Sequence, residues 1–276
     1  MKLKNNYFIY LRYEKTGSKT LIREIFNKFF HYYSLKSLSK NLFDEFIEDK
    51  EGKFQNEIFV INIQIQKNII KDNLIILDIE KYYYDILNFL KYVKKNYNLK
   101  IILGIRAQNE IIESYYTQIA KNGYFISKNK FYKTHHKIWQ YYYILKNIHK
   151  IFLKEHIHIF ILNNNYLLNE LENLYFFLAQ ENKVFRNVKK YNIRRSHNRV
   201  KLYMFFNFIK LRGVNKFIKI PIIEKIIYII SSILDRIFFE NTKKNYYKEY
   251  ISLYEEDNRK IEKYFKLDLK GRGFDL

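Results

Sequence analysis

The 276-residue chain has no cysteine, one proline and one tryptophan, and each scarcity closes off a class of explanation. Without thiols there is no disulfide framework, no thiolate nucleophile and no cysteine-based zinc site, and the composition fits a reducing compartment. There is no Gly/Ser-rich linker, internal repeat or low-complexity tail, so no domain boundary shows, and residues 1–276 read as a single domain. Long apolar runs are also missing. After Lys2 and Lys4 the apolar stretch Tyr7 to Leu11 is too short for a signal-peptide core and lacks a small-residue cleavage site, so a cytoplasmic protein is expected. Acidic residues are outnumbered, 28 against 50 Lys and Arg, for a formal charge of +22. That excess attracts anions of any kind: nucleic acid, acidic lipid, acidic polysaccharide or nucleotide. Because Lys, Asn, Ile, Tyr and Phe are all abundant, as an AT-rich coding bias produces, the charge reads as diffuse and selects no partner.

What the chain does have is a strand, a small polar turn and a helix in succession near its start. Tyr7, Phe8, Ile9, Tyr10 and Leu11 form a β-rich run, and Leu21, Ile22, Ile25, Phe26, Phe29 and Phe30 recur on one helical face. Between them lies Lys15-Thr16-Gly17-Ser18-Lys19-Thr20, with a glycine for close backbone approach, hydroxyls, amide N–H groups and two ammonium groups. A helix N-terminus behind such a turn favours an anion. The turn is not a Walker A sequence. That pattern needs a glycine where Arg12 stands and a lysine where Ser18 stands.

Further along, alternation over Ile58 to Gln66 predicts a strand with one buried face, at a sheet edge, while the charged stretch Asp44 to Lys53 reads as a surface loop. Continuous apolar runs at Leu74–Leu77, Ile101–Ile105 and Ile157–Leu162 predict strands buried on both faces, separated by helical patterns. That order implies an α/β fold of three layers, a mostly parallel sheet flanked by helices on both sides. Ligands of such sheets bind beyond the carboxyl ends of the strands, which directs attention to Lys15, Asp78, Glu80, Arg106 and Asn163. The helix after Arg106 carries Ile111, Ile112, Tyr115, Tyr116, Ile119 and Ala120 on its apolar face, with Ser114 one turn inside it.

Lys15 to Leu21 resembles the 5′-phosphosulfate loop of sulfotransferases that use 3′-phosphoadenosine 5′-phosphosulfate (PAPS). Lys100 to Gly123 is similar to the 3′-phosphate-binding segment of the same family, where a strand ends in Arg and a Ser follows on the next helix. The Arg106-to-Ser114 spacing matches, and the Ser-x-Tyr-Thr-Gln continuation fits bacterial, carbohydrate-modifying members. Asn192–Tyr203 and Tyr254–Phe274 agree more loosely. Lys270-Gly271-Arg272 only echoes the Arg-Lys-Gly loop of the small-molecule enzymes, and no role is assigned to it. The resemblance implies a P-loop-nucleotide-kinase-like fold with a helical C-terminal part. It also implies sulfuryl transfer from PAPS, without a metal, to a hydroxyl or amine of a glycan or glycolipid such as a cell-surface polysaccharide. Lys15 then holds the leaving 5′-phosphate, with Thr16, Gly17, Ser18, Lys19 and Thr20 as donors, and Arg106 and Ser114 take the 3′-phosphate. Family members use either Glu or His as the base. Glu80 is the first choice here, and Asp78 and His31 are the alternatives; a carboxylate at Glu80 equally suits the N-terminus of a following helix.

Two other classes compete. A nucleotide or sugar kinase sharing the phosphate-loop architecture needs a carboxylate-held Mg²⁺, for which no Walker B context is visible. A non-enzymatic basic module would sit on nucleic acid or membrane; nucleic acid is not the expected partner, since Trp139 and Tyr141 to Tyr143 read as core or acceptor-pocket wall rather than a base-stacking platform. The histidines do not assemble a zinc set: His135 and His136 are adjacent, and His156 and His158 have no nearby Cys or strand-end carboxylate to complete one. Finally, Phe217 to Phe239 forms an amphipathic helix pattern whose longest uncharged run, Ile226 to Leu234, falls far short of the roughly 20 residues that span a bilayer. It reads as a core helix or as a peripheral contact with the inner membrane face.

Overall fold

Large apolar side chains on both faces of one short strand are stable only with neighbours on either side and layers above and below. In the computed structural model β1 (Asn6–Arg12) occupies that position, at the centre of a five-stranded sheet with every described pairing parallel. The structure describes residues 5–13, 16, 18–35, 37–64, 79–121, 128–163, 165–188 and 248–276, with isolated positions 202, 205, 226, 229 and 230. β3 (Ile58–Gln64) and β4 (Lys100–Arg106) flank β1, and β2 (His31–Ser34) and β5 (Ile157–Leu162) lie outside them, giving the order β2-β3-β1-β4-β5. The chain divides into two compact units, one comprising Met1–Ala107, Gln140–Tyr191 and Tyr254–Leu276 and the other Gln108–Trp139 and Asn192–Leu253.

The first unit holds the sheet between two helical layers. On one face, Phe8, Tyr10, Val60, Ile102 and Phe160 meet Leu21, Ile25 and Phe26 and the Leu167, Leu171, Leu174 and Leu178 stripe of α8 (Leu167–Ala179). The helix that follows β1 opens as α1 (Ser18–Leu21), passes through a π turn (Ile22–Phe26) and closes as α2 (Asn27–Phe29). The wider π turn sets residues five apart in line, so Leu21, Ile25 and Phe26 are all buried. The opposite face carries α3 (Lys40–Lys53), α4 (Ile79–Asn96) and α7 (Tyr141–Ile151). There the Tyr7 hydroxyl donates to Glu51 Oε1 at 2.8 Å, and Phe43 of α3 meets Phe89 of α4 edge-on. This is the three-layer α/β architecture expected from the order of elements. The connection from β1 to β2 runs one way across the sheet and those from β3 to β4 to β5 the other, which with right-handed crossovers puts helices on both faces.

Several expectations are corrected. Asp44 to Lys53 is not a loop: it lies in α3, because Phe43, Ile47 and Glu51 recur every four residues and are buried, while the Ser39 side chain accepts the Leu42 N–H at the N-terminus. β3 is not an edge strand. It pairs on both sides, and Phe59 to Ile63 are buried without a break. The edges are β2 and β5, and of the apolar run in β5 only Phe160 and Ile161 are buried. β2 was not foreseen, and the predicted strand at Leu74–Leu77 lies outside the described residues.

In the second unit α5 (Gln108–Lys121) and α6 (Lys128–His135) pack Tyr115, Tyr116 and Phe131 around Trp139. Gln108 Nε2 donates to the Trp139 carbonyl at 3.2 Å. Among the described residues no helix is long and apolar enough to cross a membrane. Phe217–Phe239 lies outside them except for Ile226, Ile229 and Ile230, which are exposed, and Asn192–Tyr203 lies outside them except for Leu202.

Candidate functional site

The helix after β1 leads toward β2 and the chain after β4 leads toward β5, so the connections diverge between these two neighbouring strands. Their carboxyl ends form the crevice in which open α/β sheets bind ligands. The polar loop Lys15–Thr20 begins at the end of β1, and Arg106 ends β4. The two sequence motifs thus meet the same edge of the sheet.

The loop is fastened at both ends. Thr16 Oγ1 donates to the Tyr13 carbonyl at 2.8 Å, Ser18 Oγ donates to the same carbonyl at 3.3 Å, and Ser18 Oγ accepts from the Tyr10 hydroxyl at 3.3 Å. Thr16, Ser18 and Thr20 are buried and Lys19 is exposed. The hydroxyls of Thr16 and Ser18 therefore shape the loop, and among its described residues Lys19 carries an exposed ammonium. Lys15 and Gly17 lie outside the described residues. Thr16 rests against β4 at Gly104, where a Cβ would stand 3.2 Å from Thr16 Oγ1 and 3.4 Å from the Tyr10 hydroxyl. Glycine at this strand position is what lets the loop lie so close, two residues before Arg106.

At the end of β1 runs a buried set of tyrosines, of which Tyr141 was read from sequence as core or acceptor-pocket wall while Tyr13 and Tyr83 were missed. The Tyr13 and Tyr83 hydroxyls are 2.9 Å apart, Tyr13 packs edge-on against Tyr141 at 5.2 Å, and the Tyr141 hydroxyl donates to the Arg106 carbonyl at 3.0 Å. The chain of contacts ties the end of β1 to α4, α7 and the end of β4. Burial holds the Tyr13 phenol well above its ordinary value, with Tyr83, Tyr141 and Asp257 adding to the effect. Asp257, on α9 (Lys248–Phe265), places both carboxylate oxygens 3.2 Å from the Tyr142 N–H at the N-terminus of α7. Its burial pushes that carboxyl from 3.8 up to about 7 despite the opposing hydrogen bonds from the Tyr142 and Tyr141 backbone. For Tyr13 the one signal available in sequence was that it directly follows an apolar strand.

The candidate bases fare differently. Glu80 is the second residue of α4, one turn before Tyr83, whose hydroxyl meets that of Tyr13. Asp78 lies outside the described residues. His31 is removed from the site: it begins β2, in register with Phe59 and through it with Tyr7, at the amino ends of the strands. Five residues at about 3.3 Å each put it roughly 16 Å from the level of Arg12. It stacks on Phe59 and its Nε2 lies 3.3 Å from Glu57 Oε2, which accounts for it structurally. Ser114 is half-buried one and a half turns into α5, in the second unit.

The C-terminal tail returns to the carboxyl end of β5. Asn163 Nδ2 donates to the Arg272 carbonyl at 2.8 Å, and the Arg272 guanidinium is bound by the buried Glu170 and lies over the Tyr166 ring. Arg272 is thus engaged within the fold, which agrees with leaving Lys270-Gly271-Arg272 without a ligand role. His158 stacks on Phe177, and burial alone lowers its imidazole to about 4. No protein-family model and no curated protein matches the chain.

Proposed function

We propose that the chain is a PAPS-dependent sulfotransferase that modifies a hydroxyl or amine of a glycan or glycolipid, such as a cell-surface polysaccharide precursor, on the cytoplasmic side of the membrane. The observation that carries this reading is the closeness of Thr16 to Gly104: the phosphosulfate-type loop and the Arg that resembles the 3′-phosphate ligand flank one crevice. The fit is chemical as well. The loop can present N–H donors and ammonium groups to a 5′-phosphate, and a guanidinium fork suits a terminal phosphate that must be told from a 3′-hydroxyl.

The co-substrate supplies an activated sulfuryl group on a phosphate leaving group. In this reading Lys15 and Lys19 stabilise charge as it develops on that phosphate, and the loop N–H groups orient it. Arg106 holds the 3′-phosphate and so fixes the nucleotide along the sheet edge. Glu80 takes the proton of the acceptor hydroxyl or amine, a role suited to a carboxylate at the head of α4, and Asp78 is the reserve. The exposed Ile226, Ile229 and Ile230 support peripheral contact with a membrane that carries a lipid-linked acceptor.

A thermal-shift panel tests the reading. Stabilisation by 3′-phosphoadenosine 5′-phosphate without metal is expected, growing as RT ln(1 + [L]/Kd). Stabilisation by ATP only with Mg²⁺ would instead indicate a kinase. A response confined to polyanions, lost steeply with salt, would indicate a basic binding module.

A further inference from the structure

A second group of polar side chains meets the same sheet edge and takes no part in nucleotide binding as read above. Register pairs Phe8 with Val60, Tyr10 with Asn62, and Asn62 with Ser34, and Phe8 and Val60 both belong to the core under α1 and α8. Strand alternation therefore sets Tyr10, Arg12, Asn62, Tyr32 and Ser34 on that same face, toward the carboxyl ends of three adjacent strands. They lie on the β3–β2 side of β1, whereas Arg106 ends β4 on the other side.

Two of these residues carry unmet hydrogen-bonding capacity. Asn62 is 1% exposed; its Nδ2 donates to Ser34 Oγ at 2.9 Å, while its Oδ1 has no partner among the described residues. Arg12 is half-buried, its Nε is buried without a partner, and no carboxylate pairs with it among the described residues. The guanidinium reaches across toward β2: burial pushes the Tyr32 phenol up to about 12, and the nearby charge of Arg12 opposes that rise. Buried polar atoms in native proteins are nearly always paired, so an unpaired donor and an unpaired acceptor on one face need an explanation. A ligand supplies it. A guanidinium fork takes a planar carboxylate, and an amide oxygen accepts from a hydroxyl. A carboxylate and a hydroxyl on one small rigid molecule describe an acidic sugar.

We propose that Arg12 and Asn62, held by Tyr32 and Ser34, form the acceptor subsite, in which Arg12 binds the carboxylate of an acidic sugar and Asn62 Oδ1 accepts a hydrogen bond from one of its hydroxyls. The inference rests on the sulfotransferase reading and names its acceptor class. With the nucleotide toward β4 and the acidic sugar toward β3, donor and acceptor approach the carboxyl end of β1 from opposite sides, which leaves the acceptor oxygen, the sulfur and the leaving phosphate oxygen free to line up.

The test titrates glucuronate, glucose, inorganic sulfate and, separately, 3′-phosphoadenosine 5′-phosphate into the full chain and its Arg12→Gln and Arg12→Lys variants, by calorimetry. Glucuronate is expected to bind at least tenfold more tightly than glucose or sulfate. Arg12→Gln should weaken glucuronate at least tenfold and Arg12→Lys severalfold, with nucleotide affinity within twofold of the parent. Arg12→Lys keeps the stem and the charge, so it carries the test if Arg12→Gln does not fold. Glucuronate binding that ignores Arg12, sulfate binding of equal strength, or a loss of nucleotide affinity in these variants overturns the proposal. Nucleotide binding without glucuronate binding would sink the subsite and leave the sulfotransferase reading. Arg12-dependent glucuronate binding without nucleotide binding would do the reverse.

Discussion

Replacing Asp257 by Asn should change how stability depends on pH, and by an amount the structure sets. Asp257 is nearly enclosed, accepts from the Tyr142 N–H with both oxygens, and has Lys260 and Glu256 acting in opposite directions on it. Its carboxyl is raised from 3.8 to about 7, chiefly by burial. A raised carboxyl means that the folded state binds the proton more tightly than the unfolded chain. Stability from this group is fully present below pH 3.8, falls as pH rises toward 7, and is lost above it. Three units at about 1.36 kcal/mol each set an upper bound of ~4 kcal/mol. The Asn variant keeps an acceptor for Tyr142 without the charge; the attraction of the ionised carboxylate to the α7 N-terminus is already contained in the value of about 7, and relaxation around the buried charge brings the difference below the bound. The net expectation is that Asp257→Asn matches the parent near pH 4 and exceeds it by about 2–3 kcal/mol at pH 8. At about 2–4 °C per kcal/mol, that is a Tm gain of about 4–12 °C at pH 8. Thermal unfolding of both proteins at pH 4.5, 6 and 8 and constant ionic strength reads it, because every other titrating group is common to both. A difference that stays flat with pH, or that favours the parent at pH 8, refutes the argument and makes the charged cap worth more than its desolvation.

Four further outcomes bear on the site. Arg106→Ala should weaken 3′-phosphoadenosine 5′-phosphate at least tenfold more than its 3′-dephosphorylated analogue, since the charge-assisted bond exists only with the phosphate; equal losses would remove Arg106 from that role. Gly104→Val should push Thr16 off β4, costing about 1–3 kcal/mol of stability by overpacking and a larger share of nucleotide affinity. Unchanged affinity in a folded Gly104→Val protein would show that the loop's seat on β4 is immaterial. Lys15→Ala should depress turnover strongly, and Glu80→Gln should depress it with nucleotide affinity intact; full activity in the latter moves the base to Asp78.

Continuous apolar runs were legible in the sequence as strands, β1, β4 and the edge strand β5 alike, whereas the alternation in β3 hid its pairing on both sides. β1 and β4 pair on both sides and lie between two layers, so their residues had to be apolar throughout and announced themselves. β2 did not, because His31-Tyr32-Tyr33-Ser34 is an edge strand that directly continues an aromatic helix end, and only the extended backbone at Phe30 separates the two. α3 was hidden by its charges: Asp49, Lys50 and Lys53 pair with one another on the solvent side, while the two apolar side chains that dock it are spaced a full turn apart. At the site, the loop was legible because its residues are contiguous. Tyr13 with Tyr83 is a contact across 70 positions, and Arg12 with Asn62 and Ser34 is a matter of register, so neither grouping leaves a local pattern.

That contrast also says what the sheet does for the loop. Arg12 and Tyr13 are consecutive, yet Arg12 belongs to the face under α1, and Tyr13 is locked by Tyr83 and Tyr141 into the layer of α4 and α7. The far end of the loop, Ser18, is held by the Tyr10 hydroxyl on the α1 face. One strand thus anchors the loop's entry to one helical layer and its exit to the other. An anion bound there meets a turn whose ends are already fixed, so less of its binding free energy goes into ordering the chain. The same anchoring explains why Thr16 and Ser18 spend their hydroxyls on the Tyr13 carbonyl. With the ends tied by side chains, a loop of this kind ahead of a helix has the fixed ends that anion recognition by backbone N–H groups demands.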